Sequence, residues 1–118
     1  MTPAKYKIQR VHDGDTLIVD VQLMGTLWLV GERLRIAGVQ CPELHEPGGL
    51  DARLYVEEWK LSRHYTLDLK PIRDKYGRLL GDLCCADGSK LSTDLLANGH
   101  AVAYRELDEE LPIHWQVV

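Results

Sequence analysis

The spacing of apolar positions changes period several times along the chain. Over residues 6–11 apolar and polar residues alternate loosely, and the Asp13-Gly14 pair that follows is a strong reversal signal. Residues 16–23, TLIVDVQL, are rich in branched side chains and bounded by turn residues, which predicts a strand. Met24-Gly25 marks the next reversal. Residues 27–30 and 34–39 read as one third strand, interrupted near Gly31 by a bulge or bend. Over residues 50–63 the period lengthens. Ala52, Tyr55, Val56 and Trp59 fall at i, i+3, i+4 and i+7, the buried face of a helix, with Arg53, Glu57, Glu58 and Lys60 opposite. Residues 65–69 return to alternation. Residues 71–78 read as a connection turning at Lys75-Tyr76-Gly77, and residues 79–85 as a strand closed by Asp87-Gly88. Residues 91–98 predict a short helix capped at Asn98-Gly99, and residues 101–104 an extended segment.

Three strands, a helix, two strands and a second helix follow one another in the order of a five-stranded OB-type barrel with two packed helices. The class is mainly β with helices, α+β by content. No repeat or low-complexity linker divides the chain. A single domain over 1–118 is expected, with its core in 6–104 and an acidic tail in 105–118.

Composition narrows the functions open to such a fold. The chain has 118 residues, 45% hydrophobic and 27% charged, the balance of an ordinary globular protein. It has no run of 18 apolar residues and no apolar leader block after the first ten, so neither a membrane span nor a signal peptide is expected. The formal net charge of -4 excludes nucleic-acid binding through bulk positive charge, so any such function needs a local basic site. The last fourteen residues hold four acidic residues and one arginine, leaving the body close to neutral. Three cysteines, two of them adjacent, predict reduced thiols and a cytoplasmic location.

Polar residues with chemical potential sit where strands end. Asp13-Gly14-Asp15-Thr16 places two carboxylates in a turn that feeds a strand. Arg33 and Arg35, two apart on the third strand, share a face. Gln40-Cys41-Pro42-Glu43 follows, with His45 and Glu46 beyond, and Arg73-Asp74-Lys75-Tyr76-Gly77-Arg78 is a second basic cluster. Carboxylates suit a hard cation and arginine forks match phosphate oxygens, so the inventory is that of metal-assisted phosphoryl transfer. Taken singly, each element is also an ordinary turn or surface residue. The paired spacings of a zinc site and the G-x-S-x-G of a serine hydrolase are absent.

Together the motifs are more specific than their parts. Val11-His12-Asp13-Gly14-Asp15-Thr16, Arg35-Ile36-Ala37-Gly38-Val39-Gln40-Cys41-Pro42-Glu43 and Asp74-Lys75-Tyr76-Gly77-Arg78 resemble the staphylococcal nuclease (thermonuclease) family in content and order. Gly49-Leu50-Asp51-Ala52 and Leu95-Leu96-Ala97-Asn98-Gly99-His100-Ala101 extend the resemblance, which runs from about residue 6 to residue 104. The resemblance implies a calcium-dependent endonuclease that hydrolyses DNA and RNA, leaving 3′-phosphate ends. A barrel groove with an aromatic would hold them preferably single-stranded or frayed; no membrane partner is expected, and a monomer is. It assigns Asp15 to the metal, Cys41 to the metal through its backbone carbonyl, Arg35 and Arg78 to the phosphate, and Glu43 to the attacking water. It assigns Lys75 and Tyr76 to substrate phosphate, and Tyr104 lies near a tyrosine that stacks on a base. Gln40 stands where the family has a second metal-binding aspartate. Its amide oxygen can coordinate but brings no charge, which predicts weaker calcium binding. The alternative is a catalytically weak module that binds nucleic acid or protein. After Tyr104 only fourteen residues remain where the family continues into a third helix, and Leu111, Ile113 and Trp115 are expected along the barrel.

Overall fold

The computed structural model describes residues 1–104, and of Leu23 and Met24 the backbone only. The tail expectation, including Leu111, Ile113 and Trp115, lies outside the described residues. In chain order the elements are β1 (Lys5–Asp13), β2 (Thr16–Met24), β3 (Leu27–Ile36), β4 (Val39–Gln40), α1 (Gly49–Ser62), β5 (Tyr65–Arg73), β6 (Leu79–Cys85), α2 (Leu91–Ala97) and β7 (Val102–Ala103). Five strands make one sheet in the order β1-β2-β3-β6-β5, and β4 pairs with β7 apart from it. Within the sheet β3 and β6 run parallel and the other neighbours antiparallel.

This mainly β, OB-like arrangement with two helices is the expected class, but the sheet is not closed as a barrel. β1 and β5 are its edges. Across the seam Met1 and Leu69 exchange two backbone bonds, of 2.8 and 2.7 Å, and the Tyr6 hydroxyl donates to the Tyr65 carbonyl at 3.0 Å.

Strand parity explains the core. In β2, Leu17, Val19 and Val21 are fully buried, while Ile18, Asp20 and Gln22 alternate to the other face. β1 keeps pace through register shifts around Gln9 and His12, which leave Val11 inward opposite Leu17. The predicted interruption of β3 is a bulge. Val30 and Gly31 together oppose Asp20, Gly31 has a positive φ of 69°, and its N–H donates to Asp20 Oδ1 at 2.8 Å.

Two boundaries differ from expectation. The third strand ends at Ile36, because Gly38 takes φ 81° and turns the chain out of the sheet into β4. β5 continues past Leu69 through Pro71 to Arg73, with a register shift between those ends. Proline is tolerated there because β5 is an edge strand.

α1 buries Ala52, Val56 and Trp59, as its period predicts. Trp59 Nε1 donates to Asp94 Oδ2 of α2 at 2.8 Å, so the largest core side chain also fixes the two helices to each other. α2 ends at Asn98. His100 N–H returns to the Leu95 carbonyl and Gly99 N–H to that of Leu96, the Schellman pattern, with Gly99 at φ 74°.

Candidate active site

The site begins at the β1–β2 turn. Asp15 is 8% exposed, and both of its carboxylate oxygens are held. Thr16 Oγ1 donates to Oδ1 at 3.1 Å and Cys41 N–H donates to Oδ2 at 2.8 Å. The second bond joins the turn to the loop after β4, 26 residues further on. The close approach depends on Gly14. A Cβ there would lie 2.8 Å from both Ala52 Cβ and Cys41 Sγ, so the turn is seated against the first turn of α1. Asp13 accepts the Asp15 N–H at 3.3 Å. Burial first, and then the neighbouring Asp15 carboxylate, pushes the Asp13 carboxyl up to about 7. Burial, followed by the charges of Asp15 and Asp13, pushes the Cys41 thiol up to about 12, so the thiolate is not the form present near neutral pH.

Glu43 is exposed on the loop between β4 and α1, and its backbone is fixed at both ends. Its N–H donates to Glu46 Oε1 at 2.7 Å, and its carbonyl accepts the Glu46 N–H at 2.9 Å. Gly49 N–H then donates to the Glu46 carbonyl, and α1 begins. Only glycine fits at position 49, since a Cβ would stand 1.9 Å from the Glu43 carbonyl oxygen. Glu43 Oε2 lies 3.5 Å from His45 Nδ1.

Arg78 is set by the connection from β5 to β6. Asp74, 4% exposed, accepts from Tyr76 N–H at 2.9 Å and Arg78 N–H at 2.8 Å, and its other oxygen pairs with Arg78 Nε. With Nε engaged, the two Nη groups remain as the arginine's further donors. Arg73 holds the same connection to β3, donating to Glu32 Oε1 and the Gly77 carbonyl at 2.7 Å each. Tyr76, 73% exposed, has Lys75 Nζ and the Arg78 guanidinium 5.4 and 5.2 Å from its ring centroid.

The expected site residues fall into three places. Glu43 and Arg78 line one cavity of about 300 Å³ with His12, Asp13, Thr16 and Arg33, and the Lys75-Tyr76 pair adjoins it in sequence. Gln40 and Cys41 line a second cavity of about 440 Å³ with Glu46 and His100. Asp15 and Arg35 line neither. Arg35, 5% exposed, donates through Nη1 to the carbonyls of Ile36 and Val39 at 2.9 and 2.8 Å, and lies 4.6 Å from the Tyr104 ring centroid. It holds the turn that launches β4, and Tyr104 N–H bonds the Gly38 carbonyl of the same turn.

Residue types alone do not single out Asp74. Its signal is an aspartate opening a D-x-x-G turn, which is common to many plain turns. Glu46 likewise reads only as a loop acid until its bond to the Glu43 backbone is seen.

The Asp13–Asp15 pair has the chemistry to hold a divalent cation. Both supply hard oxygen donors, and each held oxygen of Asp15 keeps a second lone pair. Two carboxylates sharing a partly buried corner are the donor set a cation relieves. No group of three His, Cys, Asp or Glu gathers among the described residues.

The chain is thus a small OB-like β protein in which Arg78, Glu43 and Asp13 line one cavity. The chain belongs to the family described as staphylococcal nuclease homologue, whose model matches residues 33–114. It is similar to Endonuclease YhcR of Bacillus subtilis, 29% identical over 110 residues that cover 82% of this chain and 9% of that protein. It is also similar to the probable staphylococcal-like nuclease CAN2 of rice, 31% identical over 80 residues, covering 65% of this chain and 20% of that protein. The chain therefore spans between about a tenth and a fifth of the length of these relatives. No helix among the described residues is long and apolar enough to cross a membrane.

Proposed function

We propose that the chain is a phosphodiesterase module that hydrolyses DNA and RNA. The observation that carries this reading is the cavity lined by both Glu43 and Arg78 beside Asp13. Glu43 orients a water and takes its proton. Arg78, aligned in advance by Asp74, donates to the phosphate oxygens as their charge builds. Arg35 acts from beneath. Its charge raises the potential of the site, and its bonds to Ile36 and Val39 fix the strand that leads into Glu43. Lys75 and Tyr76 bind substrate beside the cavity, and Tyr104 flanks Arg35. Asp13 and Asp15, with the Cys41 carbonyl and the Gln40 amide oxygen, would hold calcium. A bound ion there would offset charge on the phosphate.

The test is cleavage of denatured DNA and of RNA with millimolar calcium and then with a chelator. Activity that the chelator removes supports the reading; no cleavage by the wild type at saturating calcium counts against it. Gln40→Asp should lower the calcium needed for half-maximal cleavage about tenfold, equivalent to ~1.4 kcal/mol. One observation favours the alternative of a weakly catalytic binding module: Gln40 is exposed and lines a different cavity from Glu43. If wild type and Gln40→Asp both bind oligonucleotide and neither cleaves it, that alternative is the better reading.

A further inference from the structure

The outward face of the β1–β2–β3 sheet carries a basic track that leads away from the cavity. Residues directly opposite one another on neighbouring strands share a face, so the register fixes its rows. Arg10 opposes Ile18, which opposes Arg33; Lys7 opposes Asp20; Lys5 opposes Gln22, which opposes Trp28. The bulges at Gln9 and at Val30–Gly31 are what keep these residues in phase, because each absorbs one extra residue without inverting the strand. Lys5, Lys7, Arg10 and Arg33 are all exposed, and Trp28 is 40% exposed. None of the four cations is in an ion pair among the described residues. The face's one central acid, Asp20, is already engaged by Gln9 Nε2 and Gly31 N–H. On a chain of net charge -4, four such cations and an indole on one sheet face are a concentrated exception.

We propose that this face is an extended binding track for single-stranded nucleic acid, which rests on the phosphodiesterase reading of the cavity. Arg33 belongs to both, since it lines the cavity and sits in the first basic row. A strand whose phosphate lies at Arg78 and Glu43 passes over Arg33 and Arg10, then over Lys7 and Lys5, and stacks an unpaired base on Trp28. From Thr16 to Gln22 the path along β2 is about 20 Å at roughly 3.3 Å per residue. That length suits several nucleotides, within the roughly 4–16 that one OB unit takes. Charge complementarity selects a polyanion, and the exposed indole selects one with unpaired bases.

The experiment measures binding of fluorescent oligothymidylates of about 4 and about 16 nucleotides in chelator, where cleavage is suppressed, and cleavage of the same oligonucleotides with calcium. Wild type should bind the long oligonucleotide at least tenfold more tightly than the short one. Lys7→Ala/Arg10→Ala should remove most of that advantage and lower the salt slope by about 0.7 for each phosphate no longer neutralised. Trp28→Ala should reduce the advantage with little effect on the salt slope, and Trp28→Phe should restore it, which separates stacking from a packing defect. Equal binding of the two lengths by wild type, with both cleaved, overturns the track and leaves the cavity reading standing. Failure of wild type to cleave either length overturns the cavity reading and the track with it. Duplex of the same length bound more tightly than single strand, with Trp28→Ala silent, also overturns the track.

Discussion

Asp74 shows how one buried side chain can set the position of another. Its carboxylate holds two backbone N–H groups of the turn and Nε of Arg78. Removing it strands those donors and an arginine, so Asp74→Ala should cost ~3 kcal/mol of stability, read by urea denaturation. Asp74→Asn keeps an acceptor for the backbone and loses the charge behind Arg78. It should leave the fold intact and lower kcat by less than Arg78→Ala, which removes a preorganised donor and should cost about 10²-fold at saturating calcium. Equal kcat losses from Asp74→Asn and Arg78→Ala would mean that Arg78 works only when paired to a charged partner.

At the scale of elements, the joint between the Glu43 loop and α1 is the tightest approach in the site. A methyl group at Gly49 would sit inside the Glu43 carbonyl, and backbone on both sides leaves little room to yield. Gly49→Ala should therefore displace Glu43 and depress activity well beyond its loss of stability. Gly99→Ala provides the contrast. Its Cβ meets nothing within 4 Å, so the cost is only that of φ 74° for a residue with a side chain, about 1 kcal/mol, with activity retained. Comparing kcat against denaturation midpoint for the two variants checks both. The elements also show what the sequence could and could not say. β2 and α1 were legible because one face of each is buried, which writes the period directly into residue type. The end of β3 was not, because Gly31 and Gly38 both adopt positive φ, one inside a strand as a bulge and the other at its exit. Pro71 concealed the length of β5, since its tolerance depends on edge position, a property of the assembled sheet. The motif residues were readable as a set, but their division between two cavities and the core was not. That division depends on where Gly38 sends the chain, and a series of residue types carries no such direction.

At the scale of the whole molecule, stability and pH are coupled through Asp82, which joins β6 to α2. It accepts from Leu83 N–H, Ser92 N–H and Ser92 Oγ. Burial nonetheless raises its carboxyl above the ordinary 3.8, and the hydrogen bonds from Ser92 only partly oppose that. The folded state therefore holds this proton more tightly than the unfolded chain. The contribution to stability is full below the ordinary carboxyl pKa and is lost as pH rises through the raised folded value. Asp82→Asn keeps an acceptor without a charge. The stability of wild type relative to this variant should fall from about pH 4 upward, measured by denaturation across pH. A constant difference at every pH would assign Asp82 a purely hydrogen-bonding role. The thiols add a second global check. Cys41, Cys84 and Cys85 are all free, so titration of the denatured, unreduced protein should find three.

The pairing of β4 with β7 has a consequence for the order in which the molecule is made. Among the described residues, Val39 and Gln40 take their ladder from Val102 and Ala103 alone, near the far end of that stretch. During synthesis Glu43 emerges about 60 residues before that partner, a delay of roughly 3–12 s at 5–20 residues per second. The β1–β3 meander can form in that interval, but the strand leading into Glu43 has nothing to pair with. Placing this partner strand late among the described residues delays completion of the strand that leads into Glu43 until most of those residues have left the ribosome.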